Sequence, residues 1–475
     1  MKGAKPRLYD SLTRSTVDLV PVEPGLAKVY SCGPTVYHDA HIGNLRAYVF
    51  TDVLTRTLRS KGLEVRHVMN ITDVGHLVAD SDDGDDKMEN AASRDGLDAW
   101  SVAARYTARF LHDLERLGIV RPTEMPRATE YVDRMIAFGE DVAGHCYELD
   151  SGLYFDTSTV PAYGAISGKA SETVEGRIET IAGKRQPADF AVWRRSPEGV
   201  TRQMEWDSPW GRGAPGWHLE CSVMSRALLG ERFDVHTGGV DHREVHHPNE
   251  IAQNQARSCS SHSGASVWMH NNFLVDRNGK MSKSNDGFLT LQTLVDAGYH
   301  PLSYRLMCLQ AHYRSELAFD FDDLGAARIR LKRLVRTVGN LRLKDDGTLK
   351  GDPSEHLAAL DEAMSDDLST PRALVALDAM LADKRMSATT RLIALGTFDD
   401  ALGLALTSAT AADLRTRPLG TVITQDEVET LMEDRLRART EKDFATSDAL
   451  RDRLIDAGVE VMDGDPMGWD WRPRP

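Results

Sequence analysis

Four residues far apart in the 475-residue chain, Cys32, Cys221, His246 and Glu250, are of types that zinc accepts as ligands. His246 and Glu250 are four apart, and Pro248 between them is placed for a first helical turn. Both can therefore face one point from one helix start. No C-x-x-C pair is present, and buried structural cysteines are an equal alternative for Cys32 and Cys221. Two further stretches are of phosphate-handling type. HDAHIGN (38–44) follows an apolar run and opens a helical pattern. Backbone N–H groups and the dipole at a helix start make an anion site. Gly43 lets backbone approach a nucleotide closely, and His38 and His41 can add donors. Alone, HDAHIGN is equally an ordinary strand-to-helix turn. KMSKS (280–284) sits in DRNGKMSKSNDG, a loop rich in Gly, Asn and Asp. There Lys280 and Lys283 can close over a triphosphate and stabilise charge as pyrophosphate leaves. A surface lysine loop is the less favoured reading of that string. A soft metal beside an activated phosphate suggests a substrate that itself carries sulfur.

These residues need a sheet to bring them together. Residues 26–33 (LAKVYSCG) read as a buried strand, and 45–60 as a helix with Leu45, Tyr48, Val49, Val53 and Leu54 near helical spacing. Gly62 is a fitting stop, and 65–71 (VRHVMNI) is the next strand. That is a βαβ unit. A helix is predicted over 100–117, another over 129–146, and a hairpin over 147–156 (YELDSGLYFD). Residues 118–208 break the rhythm and read as an insertion. The rhythm returns with FDVH (233–236), a helix from about Pro248 and a strand over 268–275. After about Pro301 the pattern is nearly all helix, with polar linkers at 344–353 and 407–418. The expected fold class is α/β: a Rossmann-like parallel-sheet domain with an insertion, then a helical bundle and a small C-terminal domain. In open parallel sheets, ligands sit beyond the carboxyl ends of the strands, where Cys32 and HIGN fall.

Composition narrows the classes. Hydrophobic residues make 41% and charged ones 27%, ordinary soluble usage, and the length implies several domains. Five scattered cysteines, Cys32, Cys146, Cys221, Cys259 and Cys308, suit a reducing cytosol rather than a disulfide framework. MKGAKPRLYDSLTR holds no apolar signal core, and no uncharged stretch nears the roughly 18–20 residues that span a bilayer. A cytoplasmic chain without a membrane partner is expected. The net charge of −15 opposes general nucleic-acid binding. One basic run, ARIRLKRLVRTVGNLRLK (327–344), is either a solvated helix face or a track for an RNA backbone.

HIGN and KMSKS together, each beside βαβ strands, look like the two motifs of class I aminoacyl-tRNA synthetases. In order and spacing, YSCGPTVYHDAHIGN, VMNITDVG, RQMEWDSPWGRGAPGWHLECSVMS, HTGGVDHREVHHPNEIAQ and KMSKSNDG resemble the cysteinyl-tRNA synthetase family. The similarity runs on to the tail RLRARTEKDFATSDALRDRLIDAGVEVMDGDPMGWDW. The resemblance implies one Zn²⁺ held by Cys32, Cys221, His246 and Glu250. It implies a two-step reaction: ATP, with Mg²⁺, and cysteine give cysteinyl-adenylate, and the cysteinyl group passes to the 3'-terminal ribose of tRNA(Cys). By the same resemblance His41, Asn44, Lys280 and Lys283 carry the catalysis. ATP would be bound by His38, His41, Gly43, Asn44, Gly238, Gly239, Asp241, Lys280 and Lys283, and cysteine by Thr72, Trp217 and His218. A monomer is likewise implied. The segments would be 1–117 and 209–300 for the catalytic domain, 118–208 for the inserted connective domain, 301–410 for a tRNA-binding bundle and 411–475 for an anticodon-binding domain.

Particular residues leave choices. Asn44 stands where the general class I motif has histidine; it can still donate. His242 and His247 are partners of the ligands or polar surface. Thr72 and Asp73 touch the substrate amine or cap a strand end. Trp469 and Trp471 stack on anticodon bases or form a small terminal core. The acidic stretch 75–89 reads as a solvated loop, because Gly84 falls at the wrong offset for a calcium loop. Two rival functions stand beside the main one. A ligase joining cysteine to a glucosaminyl-inositol in mycothiol synthesis would share the motifs but has no need of an anticodon-reading tail. A non-catalytic RNA-binding paralogue would not need the intact ligands and lysines.

Overall fold

The computed structural model describes residues 3–75, 87–168, 183–276, 289–464 and 467–474. Lys280 and Lys283, with the rest of KMSKS, and most of the acidic stretch 75–89 lie outside the described residues.

Four parallel strands form the central sheet, in the spatial order Ala265–Asn271, Phe233–Gly239, Leu26–Ser31, Glu64–Met69. Their side chains alternate between two cores. Val29, Val235, Val267 and Met269 pack with Leu45, Val49 and Val53 of the helix Ile42–Ser60. Tyr30, Val68 and Trp268 pack with Leu219 and Val223 of the helix Trp217–Leu229 and with Ile251 of the helix His246–Ser258. Burial on both faces explains why the strands read as apolar runs rather than as alternation. The first helix begins at Ile42, three residues before the predicted start, because the His41 side chain caps it by accepting from the Asn44 N–H. HIGN is thus the first turn of the helix.

The predicted helix over 100–117 is Ala99–Arg116. The one over 129–146 breaks up into a 3-10 turn, Ala128–Tyr131, then Val132–Asp141 and a second 3-10 turn, Ala143–His145. Gly144 is a poor helix former, and Cys146 already belongs to a strand. That strand, Cys146–Leu149, pairs with Gly152–Phe155 as the predicted hairpin. Phe190–Arg195 and Gly213–Pro215 complete a four-stranded antiparallel sheet, so its last strand lies beyond residue 208.

The helices Pro301–Leu309, Phe321–Arg342, Ser354–Ser365, Thr370–Ala382 and Ala388–Leu402 follow, then Gln425–Thr440 and Phe444–Asp456. Much of the basic run is turned inward. Arg328 and Lys332 contact Asp470, Arg330 pairs with Asp378 at 2.8 Å, and Arg342 donates to the Leu406 and Ala409 carbonyls. Trp469 and Trp471 sit in a terminal core with Val428, Leu454 and Val459, at 4% and 2% exposure. Stacking of these two rings on anticodon bases is therefore overturned in favour of the core.

One element was not anticipated. Arg7–Asp10 and Ser15–Asp18 form a hairpin. It docks on the edge strand, the Ser11 N–H donating to the Trp268 carbonyl at 2.8 Å and the Trp268 N–H to Asp10 at 2.9 Å. Among the described residues no helix is long and apolar enough to cross a membrane.

Candidate active site

The sheet order brings the sulfur- and nitrogen-bearing residues to one end. Cys32 follows the central strand, Cys221 lies one turn into the helix Trp217–Leu229, and His246 and Glu250 lie one turn apart at the start of the helix His246–Ser258. One ligand atom from each lies within 4.8 Å of all the others. His246 Nε2 is 3.4 Å from Cys221 Sγ and 3.1 Å from Glu250 Oε1. Zinc–ligand lengths of about 2.0–2.3 Å put neighbouring tetrahedral ligands roughly 3.3–3.8 Å apart, so this spacing is close to that of a bound ion. Glu250 Oε1 is buried and takes no aligned hydrogen bond from the described residues, which leaves an electron pair for a cation. Two sulfurs, an imidazole and a carboxylate, nearly all buried, suit a borderline-soft divalent ion.

The charges are arranged for such an ion. Burial pushes the His246 imidazole down, but Cys221 and Glu250 beside it outweigh this and raise it to about 10. Burial opposes ionisation of Glu250, yet His236 and His246 bring it to about 2. Cys221 is also buried, but a hydrogen bond from Cys32 and the charge of His246 lower it to about 7. Burial first, then the bond to Cys221, holds the Cys32 thiol well above the usual range. The arrangement thus favours a charged imidazole between a carboxylate and a thiol that ionises near neutrality, with a second thiol beside it.

A second set of four shares two of these residues: Cys32, His236, His247 and Glu250 also lie within 4.8 Å of one another. His236 Nε2 is 3.0 Å from Glu250 Oε2, and His247 Nε2 is 3.4 Å from Cys32 Sγ. His247 is therefore not polar surface; it is fully buried in the site. His236 was missed because a lone histidine in the apolar strand FDVH carries no signal of its own. The His218 and His246 Nδ1 atoms are 2.8 Å apart, so His218 backs the candidate ligand. Trp217 is half-buried, its ring centroid 4.3 Å from that of His246, which makes it a wall of the site rather than core.

Thr72 is buried. Its hydroxyl donates to Glu220 at 2.9 Å and accepts from Asn70 at 2.9 Å. Burial pushes the Glu220 carboxyl up to about 8, against the Thr72 bond. Asp73 accepts from the Thr129 N–H and hydroxyl, the contacts of a cap.

At the same end of the sheet stands HIGN. Burial, and then the charge of His38, lower the His41 imidazole to about 4. The ring is neutral at pH 7. Its Nδ1 accepts from Asn44 N–H at 3.2 Å, so Nε2 carries the proton. A Cβ on Gly43 would lie 3.0 Å from that ring, so glycine is needed for the cap itself. His38 Nδ1 bonds the Asp39 carbonyl at 2.5 Å, and Asn44 is exposed. Ile42 N–H donates to the Leu289 carbonyl at 2.9 Å and His41 pairs with Thr290, while Leu274 approaches Gly43. Both flanks of the stretch 277–288, which carries Lys280 and Lys283, are thus tied to HIGN. Gly238 and Gly239 end the strand Phe233–Gly239; a Cβ on Gly238 would lie 2.8 Å from the His242 and His247 rings, and one on Gly239 would strike Asp241.

Comparison with known proteins points to one family. A family model described as tRNA synthetases class I (C) catalytic domain matches residues 18–328, and one described as cysteinyl-tRNA ligase anticodon binding domain matches residues 424–472. The chain is 56% identical over 476 residues to the cysteine–tRNA ligase of Novosphingobium aromaticivorans, covering 98% of this chain and 97% of that one. It is 51% identical over 503 residues to that of Zymomonas mobilis, covering 98% of each. Among solved structures, a ternary complex of LeuRS, tRNA and LeuAMS from Agrobacterium radiobacter K84 superposes with a TM-score of 0.57 at 12% identity, over 94% of this chain and 95% of that. Methionyl-tRNA synthetase of Mycobacterium tuberculosis bound by methionyl-adenylate gives 0.53 at 15% identity, over 82% and 93%. These two likenesses speak for the fold.

Proposed function

The chain belongs to the cysteinyl-tRNA ligase family of class I aminoacyl-tRNA synthetases, enzymes that ligate cysteine to tRNA, and from that premise we propose how its residues select and activate cysteine. Cys32, Cys221, His246 and Glu250 would hold one zinc ion. Such an ion supplies a preference for sulfur over oxygen and a lowered thiol pKa, where shape alone separates such isosteres only about a hundredfold. Trp217 walls the pocket that receives the side chain, His218 orients His246, and Thr72 lies at the edge nearest Glu220. His41, through Nε2–H, and the exposed Asn44 would meet the phosphates of ATP at the helix start, with His38 and Gly43 beside them; Mg²⁺ would accompany the ATP. Gly238, Gly239 and Asp241 form the neighbouring nucleotide contact. Lys280 and Lys283 reach the triphosphate from a stretch anchored at both ends beside HIGN.

In this reading the cysteine carboxylate attacks the α-phosphorus, the bond to pyrophosphate breaks, and cysteinyl-adenylate forms. The terminal ribose hydroxyl of tRNA(Cys) then takes the cysteinyl group and AMP leaves. Catalysis rests on positioning and on charge stabilisation rather than on a protein nucleophile. One chain supplies every residue named, which suits a monomer. The match of residues 424–472 to an anticodon-binding domain favours tRNA over an amino sugar as acceptor.

The observation that carries the proposal is the convergence of two sulfurs, an imidazole and a carboxylate at the same end of the sheet as His41. The test is zinc content and cysteine-dependent ATP–pyrophosphate exchange in Cys221→Ser, followed by transfer to tRNA or to glucosaminyl-inositol. Metal and exchange should fall together, because a hydroxyl is a poor zinc ligand at neutral pH. Unchanged metal content removes Cys221 from the site, and transfer to the sugar alone overturns tRNA as acceptor.

A further inference from the structure

We propose that Ser11, His270 and His247 form a hydrogen-bonded relay that positions Cys32 for the metal, an inference that rests on the zinc reading above. The starting point is that two overlapping sets of four could hold an ion, and proximity does not choose between them. The two share Cys32, and with the ion held by the set that includes His246 a chain of polar contacts leads away from that sulfur.

As a metal ligand Cys32 is a thiolate and has no hydrogen to give. Its sulfur can offer His247 Nε2, 3.4 Å away, nothing but lone pairs. His247 Nε2 therefore carries the hydrogen and donates. In the neutral ring Nδ1 is then an acceptor, so His270 Nε2, 2.8 Å from it, must donate. His270 Nδ1 is in turn an acceptor, and the Ser11 hydroxyl at 2.8 Å is its donor. One sulfur thus fixes two tautomers and a hydroxyl rotor. A ring nitrogen that bears hydrogen cannot ligate a metal, so with the first set occupied His247 stands outside the shell. It then restrains a ligand instead of being one. Outer partners of this kind orient the ligand they touch and hold its charge.

Ser11 is held for the task. It lies in the turn of the N-terminal hairpin, its N–H committed to the Trp268 carbonyl, while Asp10 takes the Trp268 N–H. Ser11, His270 and His247 are 5%, 6% and 0% exposed, so water does not substitute for the relay. The hairpin, which precedes the first strand of the parallel sheet, thereby gains a role in the pocket that selects the amino acid.

The test uses the full-length chain and zinc itself. Zinc affinity is measured by competition with a chromophoric chelator, and the cobalt-substituted protein reports sulfur ligands by its charge-transfer absorption. Ser11→Ala should weaken zinc binding roughly three- to tenfold, the worth of one buried hydrogen bond. His270→Phe should weaken it about 10- to 100-fold. Ser11→Thr, which keeps the hydroxyl, should restore wild-type affinity. His247→Ala should still bind cobalt with the two-thiolate absorption of wild type. If Ser11→Ala and His270→Phe bind as tightly as a zinc-binding wild type, the relay is overturned and the zinc reading stands. Loss of binding in His247→Ala as complete as in His246→Ala would make His247 a ligand and overturn it equally. A wild type that binds no zinc overturns the zinc reading first, and the relay with it.

Discussion

Loading zinc into the metal-free protein at pH 7 should expel between two and three protons. The count comes from the site. Cys32 is held well above the thiol range and is fully protonated at pH 7. His246, raised to about 10, is an imidazolium. Cys221, at about 7, is half ionised, and Glu250, at about 2, has no proton to give. All four must be deprotonated to ligate, so affinity should climb about 100- to 1,000-fold per pH unit near neutrality. The same values set the sign of the metal-free protein's stability. His246 stabilises the fold fully below its unfolded value of 6.5, and this is lost as pH rises through about 10. Glu250 stabilises it above 4.5, and this is lost as pH falls through about 2. The His246 and Glu250 contributions are therefore both complete between pH 4.5 and 6.5. The assay is titration calorimetry of zinc in buffers of different ionisation enthalpy, whose slope is the proton count. Release of one proton or fewer would show that the ligands are preformed as anions, or are other residues, and would refute the reasoning.

Three further outcomes concern other parts of the molecule. Arg305 is buried, donates to Asp52 at 2.6 Å and to the Leu117 and Leu402 carbonyls, and joins the helix Pro301–Leu309 to Ile42–Ser60; Arg305→Met should cost about 3–5 kcal/mol in urea unfolding, and a cost under 1 would deny the joint its importance. Glu220→Gln should be more stable relative to wild type at pH 8 than at pH 5, by about 4 kcal/mol, because wild type loses stability between its unfolded value of 4.5 and its folded value of about 8; parallel pH profiles would contradict this. Lys283→Ala should slow adenylate formation about 10²- to 10³-fold with zinc retained, measured by pyrophosphate exchange; a normal rate would remove Lys283 from the chemistry.

The catalytic half of the fold was readable because its strands are buried on both faces and its helices keep one period; Leu26–Ser31, Ile42–Ser60 and Glu64–Met69 fall close to their predicted places. The start of that helix was not, since an imidazole cap at His41 lies outside the usual serine, threonine and aspartate signals. The N-terminal hairpin has four-residue strands and no Asn-Gly turn to announce it. Spacing could not bring the ligands together, because they come from three elements that only the sheet order joins; the family resemblance supplied that step. Ser11 and His270 were invisible for a stronger reason, as their contact spans 259 positions. Arg328 likewise finds Asp470 across 142 positions, and charge pattern alone had no means of showing it.

The central claim is that a thiol-preferring ion at Cys32, Cys221, His246 and Glu250 chooses the amino acid. Its most direct measurement is pyrophosphate exchange with cysteine and with serine on protein whose zinc content has been determined. One zinc per chain is expected, with a preference for cysteine well beyond the about hundredfold that shape supplies. Zinc-replete protein that activates serine within about tenfold of cysteine would contradict it.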